Sequence, residues 1–275
     1  MRTDGMHVWH DGRPLDALFR YRVLTKELVK REILGRYRGA TFGLLWSLIS
    51  PFLMLMVYTL AFGYILKGRW PGTSGSTLDF TLILFVGLIV HGFFAECLTR
   101  SPQLVLSNTN YVKRVLFPLQ ILPWSMALAA LFHLAMNVVV LLLMKFFLHQ
   151  QMHATTPLLP VVLLPLFVLT IGTSWMIAAL GVYLRDIGQV VGVLATAMLF
   201  LSSAIVPVES LPENFRWVFY ANPLTFIIDQ ARNVVIWGKG PDWTVWTIYM
   251  VCASAFSLLS FTLFQKLRKG FADVL

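Results

Sequence analysis

Charge is scarce in this sequence. Of 275 residues only 13% are Asp, Glu, Lys or Arg, against 57% apolar residues, and the mean hydropathy is +0.72. A soluble domain needs more polar side chains than that to wet its surface. Cysteine is nearly absent as well. Cys97 and Cys252 fall in apolar segments, towards opposite ends of their spans on the topology read below, which leaves no disulfide geometry. Two thiols and six scattered histidines make no metal ligand set. No G-x-x-x-x-G-K-[ST] motif occurs, and the nearest stretch, Gly238-Lys239-Gly240, is not a phosphate loop, so the chain shows no sign of hydrolysing ATP. A proton-coupled transporter is expected to hold ionisable groups in mid-membrane. Here only His91 and His133 lie deep in apolar runs, with Glu96 near the inner end of its run. No Ser/His/Asp or paired-carboxylate set has catalytic spacing, so no catalytic residue and no metal site are assigned.

Long uncharged runs are what the sequence does have. Six windows approach or exceed the roughly 20 residues that a bilayer-crossing helix requires: Phe42–Leu66, Phe80–Leu98, Leu119–Leu148, Pro157–Leu184, Val190–Val208 and Trp243–Leu267. They predict an all-α integral membrane protein with six transmembrane helices. A net charge of +9 is compatible with nucleic acid, but the cations collect at the ends of the spans, so no nucleic-acid partner is expected. One side of the implied topology carries 16 Lys and Arg, in the N-terminal segment, after span 2 (Arg100, Lys113, Arg114), after span 4 (Arg185) and in the tail (Lys266, Arg268, Lys269). The other side carries six: Lys67, Arg69, Lys145, Arg216, Arg232 and Lys239. The positive-inside rule then places both termini in the cytoplasm, in agreement with the even number of spans. The first run begins only at Phe42 and outlasts the roughly 7–15-residue core of a signal peptide, so it is retained.

Three further segments are neither spans nor simple loops. Leu15–Leu34 carries Ala17, Tyr21, Leu24 and Leu28 at 4-3-4 spacing, with Asp16, Arg20, Glu27 and Arg31 on another face. That pattern predicts an amphipathic helix on the cytoplasmic leaflet with its cations towards anionic lipid. In Ser101–Pro118 a helix-starting Ser-Pro is followed by the stop signals Asn108 and Asn110, which predicts a short helix across the cytoplasmic end. Glu209–Trp237 suggests two short helices, one from Pro212 and one from Pro223 with Asn222 as its cap. Each is too short to span, so the segment reads as a re-entrant or outer-leaflet hairpin, a candidate gate buried in protein or lining water, with a plain external loop as the alternative.

Gly35, Gly39 and Gly43 recur every four residues, and Gly188 with Gly192 repeats the device, predicting smooth faces for close helix packing. The abundant aromatics allow two readings: belts at the membrane interfaces, or flat walls of a pore on which sugar rings stack while sliding. Arg185-Asp186 reads as an ion pair or helix cap. Asp229 and Arg232 are spaced to pair across one turn, a weak interaction if exposed.

The stretch LVKREILGRYRGATFGLLWSLISPFLMLMVYTLAF, Leu28–Phe62, resembles the opening of ABC-2 type permeases that export bacterial surface polysaccharides. SNTNYVKRVLFPLQILP (Ser107–Pro123) resembles that family's segment between spans 2 and 3. YLRDIGQVVGVLATAMLFLSSAIVP (Tyr183–Pro207), followed by LPENFRWVFYANPLTFIIDQAR (Leu211–Arg232), is similar to its span 4–5 region and outer hairpin. Where a typical member reads Ser-Pro near the end of span 5, this chain has Ser202-Ser203 and then Pro207, which puts the local bend in question.

The resemblance implies a cytoplasmic N-terminal segment, 1–41, holding an interface helix, and one six-helix transmembrane domain, 42–275, with a coupling region at 100–118 and an outer gate at 209–237. It implies a homodimer in the bacterial plasma (inner) membrane, among membrane lipids. Two cytoplasmic ATPase subunits would carry ATP and Mg²⁺, leaving this chain without a cofactor. Pro102, Gln103, Leu104, Asn108, Asn110 and Tyr111 would couple to the ATPase. Trp46, Phe52, Tyr58 and Phe62 of span 1 would line the pathway with span 5, and Phe215, Trp217, Phe219, Tyr220 and Phe226 would form the gate. The implied cargo is a lipid-linked glycan: undecaprenyl-diphosphate O-antigen foremost, capsule or teichoic acid otherwise. Arg31, Arg36 and Arg38 stand where span 1 leaves the cytoplasmic leaflet, and guanidinium suits phosphate oxygens, although the positive-inside rule also accounts for them. The competing functions are an ABC-2 drug or lipid efflux permease and a polyprenyl-phosphate-using membrane glycosyltransferase, the latter opposed by scattered acids.

Overall fold

The structure, a computed structural model, describes residues 14–65, 70, 77–112, 117–149 and 152–275. Arg2, Arg13, Lys67, Arg69, Lys113 and Arg114 lie outside the described residues. Regular structure among those described is entirely helical. In chain order the helices are α1 (Pro14–Arg20), α2 (Arg22–Arg36), α3 (Trp46–Tyr58), α4 (Thr77–Arg100), α5 (Thr109–Val112) and α6 (Ile121–His149). They are followed by α7 (Leu159–Tyr183), α8 (Ile187–Phe200), α9 (Glu213–Ala221), α10 (Pro223–Arg232), α11 (Trp243–Arg268) and α12 (Phe271–Val274). Apolar side chains leave backbone groups no partner outside the helix itself, which is why long uncharged runs fold this way in lipid. Among the described residues, five segments are long and apolar enough to cross a membrane: Gly43–Ile65, Thr77–Gln103, Ile121–Leu148, Thr156–Tyr183 and Trp243–Arg268.

The core sits around α7. Trp175 is fully buried, donates from Nε1 to the Gln120 carbonyl at 3.2 Å, and meets Trp124 and Phe261 edge-on. Gly172 lets the α11 backbone approach: a Cβ there would stand 2.7 Å from Ser257 Cα. Hydrogen bonds close both ends of the bundle. At the basic end Tyr183 donates to the Leu267 carbonyl and Arg268 to Gln120 Oε1. At the hairpin end α10 runs into a π-helical turn, Asn233–Trp237, whose successive carbonyls need outside donors. Thr155 supplies Val234, Lys145 supplies Val235 and His153 supplies Ile236.

The amphipathic segment departs slightly from expectation. It forms α1 and α2, broken at Tyr21, and it packs Ala17, Thr25 and Leu28 inward rather than presenting a single surface helix. Within this chain the glycine repeat meets no second helix. α2 stops at Arg36, Gly39 and Gly43 adopt φ of +84° and +49°, and nothing lies within 4 Å of a Cβ added at Gly35, Gly39 or Gly43. Gly39 and Gly43 make left-handed turns that L residues resist, while Gly35 lies within α2. At Gly188 only Pro102 comes as near as 3.9 Å, and Gly192 has no neighbour, so neither is a tight packing point.

The fifth predicted span, Val190–Val208, is cut short. α8 holds 14 residues, about 21 Å at 1.5 Å per residue, against a hydrocarbon core of about 30 Å. The chain leaves the helix at Leu201, turns, and is extended at Pro207. The questioned bend is therefore present without a Ser-Pro pair. Its carbonyls are satisfied from the hairpin: Asn222 Nδ2 donates to Met198 and Leu201, while Arg232 donates to Ser203 and Ala204. Non-helical backbone at such depth persists when protein groups replace the missing ladder. Asn222 also caps α10 as expected, accepting from Leu224 N–H at 3.0 Å beside Pro223.

Two cations assigned to outer loops are structural instead. Lys145 is buried on α6, and Arg232 is 2% exposed, so the Asp229–Arg232 pair at 3.5 Å is no surface interaction. Gly87 of α4 is the seat for this arrangement: a Cβ there would stand 2.7 Å from Ala204 Cα and 2.8 Å from Arg232 Nη2. Gly87→Ala should therefore lower stability by about 1–3 kcal/mol, as overpacked sites do. The check is the thermal midpoint of the purified chain in detergent; an unchanged midpoint would mean that the bend gives way freely.

Candidate functional site

At the basic end a ladder of alternating charge links α2, α4 and α6. Glu96 and Arg100 are one turn apart on α4, with Nη1 to Oε1 at 3.3 Å, the spacing at which opposite charges meet on a helix. Arg100 also pairs with Glu32 of α2. Arg36, in the last turn of α2 where a cation suits the helix dipole, reaches Glu96 Oε1 at 3.1 Å and donates to His133 Nδ1 of α6 at 2.6 Å. The Glu96 side chain is 17% exposed but that of Arg36 is 45% exposed, so the accessible group at this site is the cation.

Arg36 opens onto a cavity of about 460 Å³ between α3, α4 and α6. It is lined by Arg36, Tyr37, Glu96 and His133 at the charge ladder, and by Trp46, Ser47, Ser50, Asn137, Tyr58, Phe85 and Leu88 elsewhere. Burial raises the pKa of the Tyr37 hydroxyl, opposed by Arg36 and reinforced by Glu96, so it stays a proton-bearing donor at neutral pH. The arrangement offers a cation and hydroxyl donors at one end and flat apolar surface beyond. Such a site accepts an anionic head attached to an uncharged or apolar body.

The predicted residues divide between this cavity and other places. Arg36, Trp46 and Tyr58 line it. Arg31 instead donates to the Tyr111 hydroxyl at 2.6 Å and stacks over its ring, joining α2 to the predicted coupling region. Arg38 is exposed on the turn after α2. Phe52 is on the exposed side of α3, and Phe62 packs beside Tyr58 near Trp70 and Phe80. In the coupling region a run of 3₁₀ turns and α5 replaces the single short helix expected. Pro102 and Leu104 are buried there, Pro102 lodged against Gly181, while Gln103 and Asn110 are exposed. Asn108 donates to the Leu104 carbonyl, and Tyr111 stacks on Phe117 with ring centroids 4.2 Å apart. In the hairpin Phe215, Trp217 and Tyr220 are exposed, Phe219 is buried, and Phe226 stacks on Tyr249.

Glu96, His133 and Tyr37 are site residues that sequence reasoning did not assign. His91, the other deep histidine, is structural, bonded to the Ala195 carbonyl at 2.9 Å. The readable signal for Glu96 was an acid with a cation at i+4 just inside an apolar run.

The sequence profile of ABC-2 type transporters matches residues 23–236, from α2 through α10 and the π-helical turn. The chain belongs to the ABC-2 type transporter family. Among relatives of this ABC-2 chain, the O-antigen export system permease protein RfbA of Myxococcus xanthus is 25% identical over 263 residues, covering 95% of this chain and 98% of the relative. A Klebsiella pneumoniae protein of the same name is 23% identical, covering 90% and 93%. The polysialic acid transport protein KpsM of Escherichia coli is 26% identical over 222 residues, covering 79% and 83%. The ABC-2 profile takes in the charge ladder and every residue lining the 460 Å³ cavity, so the cavity lies within the family's shared region. This ABC-2 chain is thus a membrane transport subunit rather than an enzyme.

Proposed function

We propose that this ABC-2 chain is the permease of an ATP-driven exporter carrying a lipid-linked polysaccharide from the cytoplasm across the bacterial plasma (inner) membrane, with undecaprenyl-diphosphate-linked O-antigen as the favoured cargo. The relatives named as O-antigen export permeases match over 90% or more of this chain and the polysialic acid transport protein over 79%, which supports this cargo class. The observation that carries the reading is the accessible Arg36 in the lining of an aromatic-walled cavity. A diphosphate head binds the cation, and the sugars that follow slide along Trp46 and Tyr58.

Both termini are cytoplasmic, and α8 with the buried turn beyond it completes a sixth crossing, so residues 42–275 act as one transmembrane domain behind the 1–41 segment. Two copies work with two cytoplasmic ATPase subunits that hold ATP and Mg²⁺. The exposed Gln103 and Asn110 meet the ATPase, and the Arg31–Tyr111 bond carries its movement to α2. Phe215, Trp217 and Tyr220 act at the outer gate.

Deleting the chain and locating the glycan tests this reading. Complete lipid-linked polymer accumulating in the cytoplasm is the expected result. Absence of polymer would point to synthesis instead, and normal surface polymer with altered drug tolerance to efflux of small molecules.

A further inference from the structure

A second cavity lies on the other flank of α2. It is a trough of about 710 Å³ between α1–α2 and α6. The α6 wall is Leu128, Leu131, Phe132 and Ala135, spaced i, i+3, i+4 and i+7 along one helical stripe. The α2 wall runs from Ile33 and Val29, which are apolar, to Lys26 and Arg22, which are not. Both cations are exposed, and neither makes an ion pair or hydrogen bond among the described residues. The trough is thus apolar along its length and cationic at one end. Thr25 lines it too: its side chain is 3% exposed, yet its hydroxyl has no hydrogen-bond partner. A buried hydroxyl is seldom left unmatched, but this oxygen is itself shut off from the surface, so the trough is recognised by its apolar stripe and its two cations. Because α6 is long and apolar enough to cross a membrane, lipid is the solvent expected beside the trough.

We propose that this trough is a binding site for an anionic phospholipid of the surrounding bilayer. One acyl chain lies along the α6 stripe, and the phosphate sits between Arg22 and Lys26. Charge complementarity selects the lipid: a zwitterionic headgroup brings its own cation against Arg22 and Lys26, whereas phosphatidylglycerol does not. The site shares no residue with the Arg36 cavity and does not depend on which cargo is exported.

Native mass spectrometry of the full-length chain in detergent tests it, with palmitoyl-oleoyl phosphatidylglycerol and the matched phosphatidylcholine as probes. Phosphatidylglycerol should remain bound at several-fold higher occupancy. Arg22→Gln with Lys26→Gln should bring it down to the phosphatidylcholine level, and since both side chains are exposed the fold should survive. Equal retention of the two lipids, or retention unchanged in the double variant, would overturn the proposal, as would a second protein copy held in the lipid's place.

Discussion

Arg232→Met should cost this protein more stability than any surface substitution, about 3–5 kcal/mol, the range found when one partner of a buried ionic network is removed. The guanidinium donates to three carbonyls: Ile83 from Nε at 3.0 Å, Ser203 from Nη1 at 2.6 Å and Ala204 from Nη2 at 3.0 Å. It also lies 4.3 Å from the Trp70 ring centroid. Methionine fills similar volume but donates nothing, so all three carbonyls lose their partner in a place water does not reach. Arg232→Lys should recover only part of the loss, because an ammonium cannot present a planar fork to three acceptors at once. Thermal unfolding of the purified chain, together with its monodispersity in detergent, measures both variants. A methionine variant melting with the unmodified chain would show that Asn222 and helix packing hold the bend unaided.

Export should fall about 10- to 100-fold in Arg36→Gln, with membrane level and topology unchanged. A hydrogen bond to a charged group contributes about 1.5–3 kcal/mol, and each 1.4 kcal/mol is a factor of ten. The fold should tolerate the change because Glu96 keeps Arg100 and stays near His133, 3.6 Å away. Arg38→Gln should have a smaller effect, since Arg38 is exposed and does not line the cavity. The informative comparison is surface glycan per permease molecule for the two variants. Undiminished export in Arg36→Gln would sink the phosphate role of this residue.

Local chemistry was legible in the sequence. Asn222-Pro223 announced a capped helix because cap and helix are neighbours in the chain, and the apolar runs gave four of the long helices nearly to their ends. Interactions across the fold were not legible. Arg36 meets His133 at a separation of 97 residues, and Arg232 meets Ile83 at 149. The acceptor in the second case is a backbone carbonyl, which every residue type carries, so no side-chain pattern advertises it. The glycine spacing was ambiguous for a related reason: one spacing serves close helix packing and left-handed turns alike, and the end of α2 at Arg36 shows turns at Gly39 and Gly43. The fifth run misled because hydropathy counts apolar residues whether or not their backbone stays helical, and Ser202 to Val206 are apolar enough to continue the window.

The bend after α8 also sets how this protein can be recombined with its relatives. Its carbonyls are bonded by Asn222 and Arg232, so a chimera that imports α9 and α10 alone would set a foreign clamp against native backbone. The natural module is the block from Ile187 to Gly238, which carries the bend and its donors together. Its seams include Ile83, Gly87 and His91 on α4, Trp70, Lys145 on α6, His153 and Thr155 beyond it, and Asp242 and Tyr249 at the start of α11.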